Sequence, residues 1–487
     1  MVHLAKKFLL ALATCPLLLS CNNIGKPSID LSCSLPQINT VAPAKSENLN
    51  ISLYVDGSGS MLGYVKNQSS NYIRALEVLN DVVDDANYYR ISDKKKLTRS
   101  DYLKAKTAEF YDGTNPKYPK VSSPIHEALT SPPASGTEQL LIIVTDLEQN
   151  EGDVDRITEA IQNTYLNKKQ GYAVGVWAVK SQFSGSIYGE NGLPLFDYNT
   201  EQAKEKKADK YRPFYILFIG QPETIKYYFD KLNNFNSQLL QNSNLLLFSP
   251  DNIIKQAISL PNRANLPKLT PEVERQFTLS DANVSVSVKN PNTEPYEMLE
   301  VIDPAKDIEI KYNIPLSRVE YGLPIAPDNL KTKTRVLTFQ QQDNSKKDTS
   351  QKQDNSEDNT SKQPDNPPEN LFQEDNSSNL KQGLIIEFDN GSVSKEQPSL
   401  TYTATIKVNQ LTEPKIYLFE VDLIAKNLQE PDWWEEWDWQ TRDNQQDGSK
   451  THNLSRFMRK LQDETLELIA NDNNEAVIGR LCYAIQK

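Results

Sequence analysis

Asp56-Gly57-Ser58-Gly59-Ser60 places one carboxylate and two hydroxyls within five residues. The stretch follows an apolar, β-prone run, Asn50 to Val55, and its glycines let the backbone turn tightly. In an open α/β sheet, polar groups leaving the carboxyl end of a strand face the crevice where ligands bind. An all-oxygen set suits a hard cation such as Mg²⁺ better than zinc. Nitrogen and sulfur ligands are scarce. Once an N-terminal signal is removed, only His126 and His452 remain of three histidines, and Cys33 and Cys482 stand apart.

The elements that must hold these groups can be read from periodicity. Residues 49–255 alternate strand-like and helix-like patterns, which predicts an α/β domain with a doubly wound, mostly parallel sheet. Ile51 to Val55 is its first strand. Tyr72, Leu76, Leu79 and Val83 recur at helical spacing. Gln139 to Thr145 is nearly continuous in apolar residues, as a strand buried on both faces would be. Val154, Ile157 and Ile161 mark a helix, and Tyr172 to Val179 and Phe214 to Ile219 two more strands. Thr224 to Leu232 reads as a helix and Leu245 to Phe248 as a closing strand. Residues 90–120 and 181–210 are long polar insertions, a place where function often resides.

With the strands in place, Asp56-Gly57-Ser58-Gly59-Ser60 resembles the DxSxS motif of von Willebrand factor A (VWA) domains. That family binds a divalent cation at a metal-ion-dependent adhesion site. Ser123-Pro124-Ile125-His126-Glu127-Ala128-Leu129 is similar to its second segment, T-x-I-x-x-A-L, with serine where threonine is usual. Val144-Thr145-Asp146 resembles its third, with a late aspartate. The likeness covers under half of the chain. It implies a Rossmann-like VWA fold and a Mg²⁺ or Mn²⁺ site. Ser58, Ser60 and Ser123 would be hydroxyl ligands. Asp56 and Asp146 would ligate directly or accept hydrogen bonds from metal-bound water. Ser122 and Thr130 are hydroxyls that could replace Ser123, and His126 falls at a position that is not a ligand. The resemblance also implies a protein partner whose carboxylate completes the coordination.

The N-terminus points to export. Lys6 and Lys7 precede an apolar run, Phe8 to Leu19, too short to span a bilayer. Leu18-Leu19-Ser20-Cys21 resembles a bacterial lipobox, which implies a signal peptide over 1–20, acylation of Cys21 and a tether over 21–48. The expected location is a cell membrane, lipid-anchored, facing the periplasm or the exterior. In an oxidising compartment Cys33 and Cys482 could pair, though sequence does not show proximity. The formal charge of −12 argues against nucleic acid as a partner.

At 487 residues the chain is long enough for two or three domains. Residues 265–427 change to period-two patterning, as in Val284, Val286, Val288, in Ile308, Ile310, Tyr312, and in Leu400, Tyr402, Ala404, Ile406. This predicts a β-sandwich. Residues 340–382, rich in Gln, Asp, Asn and Ser, read as a disordered insertion. Residues 428–487 are expected to be Trp-rich and helical. Leu454, Phe457, Met458 and Leu461 form a stripe behind Asn453 as N-cap, and Val477, Leu481 and Ile485 suggest a second helix.

Trp433, Trp434, Trp437 and Trp439 lie among Asp432, Glu435, Glu436 and Asp438. They read foremost as rings docking the C-terminal segment, then as a sugar platform, and last as a glycan-cleaving carboxylate pair. Lys204, Lys206, Lys207 and Lys210 read as a solvated helix face. No phosphate-cradling loop or nucleophile elbow is present. The expectation is therefore a binding protein and not an enzyme. A scaffold of an envelope complex is the alternative.

Overall fold

The computed structural model describes residues 28–30, 33, 49–83, 85–91, 95–130, 138–148, 154–166, 171–189, 192–201, 208–235, 237–241, 243–249, 273–274, 285–287, 296–315, 321–325, 327–339, 372–389, 399–440, 447–470 and 475–487. Cys21 and the signal-like run lie outside these residues. So do Lys204, Lys206 and Lys207.

The first sheet is built from β1 (Leu49–Val55), β2 (Asn87–Arg90), β3 (Lys95–Leu97), β4 (Glu138–Thr145) and β5 (Ala173–Ser181). A hairpin follows, β6 (Ser184–Tyr188) and β7 (Pro194–Asn199), then β8 (Arg212–Gly220) and β9 (Ser243–Phe248). The seven strands run in the order β9-β5-β8-β4-β1-β2-β3. Helices α1 (Asn71–Val82), α2 (Ile125–Ala128), α3 (Asp155–Thr164) and α4 (Pro222–Phe235) connect them. Ser70 caps α1, its hydroxyl accepting from the Ile73 N–H at 3.3 Å.

Side-chain alternation explains the unbroken apolar run of β4. Leu141 and Ile143 join the core containing Ile157 and Ile161 of α3. Leu140, Ile142 and Val144 join the opposite core, with Leu76 and Leu79 of α1. Each buried side chain contributes about 1.5–3 kcal/mol relative to exposure.

The chain is thus mixed α/β, but this sheet is less parallel than its sequence pattern predicts. β1 is parallel to β2 and to β4, whereas β8 inserts antiparallel between β4 and β5. After β5 the chain returns through the β6–β7 hairpin, with no crossover α-helix among the described residues, and such a return pairs antiparallel. The first insertion is not merely polar loop, since Tyr102, Phe110, Tyr111 and Tyr118 enter the core.

The second unit contains β10 (Glu297–Val301), β11 (Ile308–Pro315), β12 (Leu330–Phe339), β13 (Phe372–Glu374), β14 (Leu384–Phe388), β15 (Ser399–Ile406), β16 (Ile416–Ala425) and β17 (Ala476–Gln486). One sheet runs 273–274, β10, β17, β16, β12, β13, and the other β11, β15, β14. They meet face to face. The hydroxyls of Tyr402 and Tyr483 lie 2.8 Å apart across them.

Three expectations change here. Residues 476–486 form a strand, not a second helix, buried along nearly its whole length between β10 and β16. The end of the predicted disordered insertion is ordered. Phe372 packs on Phe339 at 5.5 Å, and Ser378–Lys381 makes a helical turn that buries Leu380. Residues 340–371 fall outside the described residues. The expected tether is pinned along part of its length. Ser28–Asp30 pairs with Ser285–Ser287, and Cys33 is disulfide-bonded to Cys482 on β17.

The C-terminal segment carries α5 (Trp433–Glu436) and α6 (Leu454–Ile469), the latter as predicted. Asn453 sits at its N-cap in a left-handed conformation, without a side-chain cap bond. Leu454, Phe457 and Leu461 share a core with Ile157, Ile161 and Phe248. Among the described residues no helix is long and apolar enough to cross a membrane.

Candidate metal centre

Register brings the three motif loops together. Val55 of β1 lies opposite Val144 of β4, and the Asp56 N–H donates to the Val144 carbonyl at 2.9 Å. Asp56 and Asp146 therefore leave adjacent parallel strands at the same edge. Ser123 arrives from the loop just before α2.

Asp56 is the hub. Its Oδ1 accepts the Ser58 N–H at 2.9 Å. Its Oδ2 accepts the Ser123 hydroxyl at 2.7 Å and the Thr145 hydroxyl at 3.1 Å. Ser58 and Ser60 hydroxyls lie 2.9 Å apart. All of these side chains are buried, as is Asp146. The alternatives to Ser123 are less well placed. Ser122 and Thr130 are exposed, and the Thr130 hydroxyl turns back to the Glu127 carbonyl at 2.9 Å.

Asp146 differs from Asp56 in its bonding. Its Oδ1 accepts the Glu148 N–H at 3.2 Å, but its Oδ2 is buried with no hydrogen-bond donor. The Arg212 guanidinium stands 4.0 Å from that oxygen. Arg212 pairs with Glu148, whose other oxygen accepts the Tyr188 N–H at 3.3 Å. Burial pushes the Asp56 carboxyl up from its ordinary value, against hydrogen bonds from Ser123, Ser58 and Thr145 that favour the charged form. Burial also drives Asp146 well up, and the Glu148 charge adds to this while Arg212 opposes it.

A second buried arginine braces the first loop. Arg90, at the end of β2, donates to the carbonyls of Gly57, Phe110 and Pro119 at 2.9, 3.1 and 2.8 Å. It packs so closely that a Cβ on Gly57 would lie 2.2 Å from Arg90 Nε. Glycine is required here for close approach.

The donor set is chemically suited to a hard dication. It offers three hydroxyls and two carboxylates, and one carboxylate oxygen claimed by no hydrogen bond. Among the described residues no group of three or more His, Cys, Asp or Glu is placed to hold a metal, so hydroxyls would have to share the work. Asp56, Ser58, Ser60 and Ser123 are joined by hydrogen bonds, and Asp146 stands at the neighbouring strand end. Thr145, Glu148, Arg90 and Arg212 were not singled out from sequence. Thr145 sits inside a recognised segment, and the others carry no motif.

The tryptophans pack. Trp434 is fully buried and stacks on Phe248 at 6.1 Å, while Trp437 and Trp439 are nearly so. Asp432, Glu435 and Glu436 are exposed, whereas Asp438 is buried. His126 is half-buried on α2.

No family model matches this chain, and no curated protein or solved structure matches it either.

Proposed function

We propose that this chain is a VWA-like, metal-dependent binding protein that grips a carboxylate of a protein partner. The carrying observation is the convergence of Ser58, Ser123 and Thr145 on one buried carboxylate, Asp56, beside the donor-free Oδ2 of Asp146. Ser58, Ser60 and Ser123 would hold Mg²⁺ or Mn²⁺ through their hydroxyl oxygens. Asp56 orients two of those loops, and Asp146 supplies charge from the third. An ion held by these residues would supply Lewis acidity toward a guest carboxylate. Few carboxylates in the set leave that acidity largely intact. Arg90 holds the Gly57 carbonyl and so fixes the loop before any ion arrives.

The protein would then sit on a membrane through acylated Cys21, facing the periplasm or the exterior. The Cys33–Cys482 bond would then carry the anchor's load to the second unit, and leave the first free to face a partner.

Titration with Mn²⁺, read by electron paramagnetic resonance and calorimetry, tests the site. Wild type should bind one equivalent and Asp56→Ala none. Equal binding by the two would sink the reading. For the partner, capture from membrane extracts should be lost both in EDTA and in Asp56→Ala. Capture that survives EDTA favours the scaffold reading.

A further inference from the structure

We propose that Arg212 is a positioning residue that couples occupancy of the metal site to the docking of residues 447–452. The inference rests on the metal reading above. Arg212 begins β8 and is fully buried. One end of its guanidinium, Nη2, pairs with Glu148 and stands 4.0 Å from Asp146 Oδ2. The other, Nη1, donates to the carbonyls of Gly448 and Lys450 at 3.2 and 3.0 Å, 236 and 238 residues along the chain. Glu148 in turn positions Asp146 through its own N–H. One rigid, planar fork thus touches the third motif loop and the C-terminal segment at once.

The segment at the far end is shaped to receive it. Gly448 packs on Tyr198 so tightly that a Cβ would lie 2.2 Å from the ring. The Tyr215 hydroxyl reaches the Thr451 hydroxyl at 2.9 Å. Arg212 hydrogen-bonds Glu148 and only approaches Asp146 Oδ2, at 4.0 Å. If a dication were held by this donor set, it would offset the charge on Asp146 and repel the guanidinium, and both effects would push Arg212 toward Glu148 and the two carbonyls. Occupancy therefore tightens the grip on residues 447–452. By linkage, loosening those residues weakens the ion by the same factor.

Hydrogen exchange of the full-length chain with and without Mn²⁺ reads the first half. In wild type, amides of 447–452 should slow about fivefold or more with Mn²⁺. In Arg212→Lys the ion still binds, but that slowing disappears. Tyr215→Phe, which cuts a tie without touching Asp146, keeps it. The reciprocal test is Gly448→Ala, which displaces the turn from outside the site and should weaken Mn²⁺ binding about fivefold. Equal slowing in wild type and Arg212→Lys, or unchanged Mn²⁺ affinity in Gly448→Ala, overturns the coupling while leaving the metal site standing. Failure of wild type to bind Mn²⁺ overturns both.

Discussion

The Ser123 hydroxyl donates to Asp56 Oδ2 at 2.7 Å, although 67 residues separate the two in the chain. The bond closes the loop before α2 onto the end of β1, and both partners are fully buried. A buried carboxylate without such donors would carry its full desolvation cost.

Ser123→Ala should cost about 1 kcal/mol of stability, since Thr145 still serves the same oxygen. Its effect on Mn²⁺ affinity should be larger, because the proposed site loses one of its hydroxyls as well. Ser123→Thr keeps the hydroxyl and should restore binding. Calorimetry of the three proteins decides it. An alanine variant that binds Mn²⁺ like wild type removes Ser123 from the ligand set.

Gly57→Ala drives a methyl into Arg90. Arg90 cannot swing away without abandoning three backbone carbonyls. The expected loss is about 1–3 kcal/mol in urea unfolding, with Mn²⁺ binding impaired beyond it. Gly59→Ala is the comparison, since its Cβ would meet only the tip of Tyr188, the hydroxyl at 3.4 Å and the ring carbon bearing it at 3.9 Å. Equal stability of the two variants would contradict this account.

Burial lifts the folded-state pKa of Asp146 well above the ordinary 3.8, with the Glu148 charge adding to the effect. A carboxyl shifted upward gives its stabilisation in full below the unfolded value, and loses it as pH rises through the folded one. Asp56 moves in the same direction. In EDTA, Asp146→Asn should therefore gain stability on wild type as pH rises from 4 toward 7. Mg²⁺, which favours the ionised carboxylate, should narrow the gap in wild type's favour. Urea melts at both pH values, with and without the ion, measure it. A gap independent of pH in EDTA would exclude a titrating Asp146.

Trp434→Ala should cost about 3–5 kcal/mol, because the ring is fully buried against Phe248. Mn²⁺ binding should persist in whatever fraction remains folded. A stable variant that had lost affinity for a glycan would revive the sugar-platform reading.

Cys482→Ser breaks the bond that holds Cys33 to β17. Loss of a native disulfide typically costs about 2–5 kcal/mol. Thermal melts should show this in the second unit, whereas Mn²⁺ binding at Asp56 should hold. Melting unchanged by reductant would count against the bond.

Much of the first unit was legible because its signals are local. The apolar run of β4 and the 3.6-residue stripe of α1 each depend only on neighbours in sequence, and both appear where expected. The acid and hydroxyls of Asp56, Ser58 and Ser60 sit on one tight turn, so their proximity follows from five residues. The antiparallel entry of β8 was not legible, since a buried strand looks the same whichever way it runs. Likewise Val477, Leu481 and Ile485 recur every four residues, yet their neighbours Ile478, Cys482 and Tyr483 are also buried. Apolar residues on both faces satisfy a helix or a central strand alike, and only pairing with β10 and β16 decides.

The sequence by itself determined which atoms could meet a cation, because composition and a turn of five residues are properties of the local chain. Tertiary structure alone decided how those atoms are braced and charged. Arg90, Glu148 and Arg212 carry no motif. They matter because register and burial bring a guanidinium within reach of carboxylates and carbonyls far along the chain, in a place where water is not there to screen them.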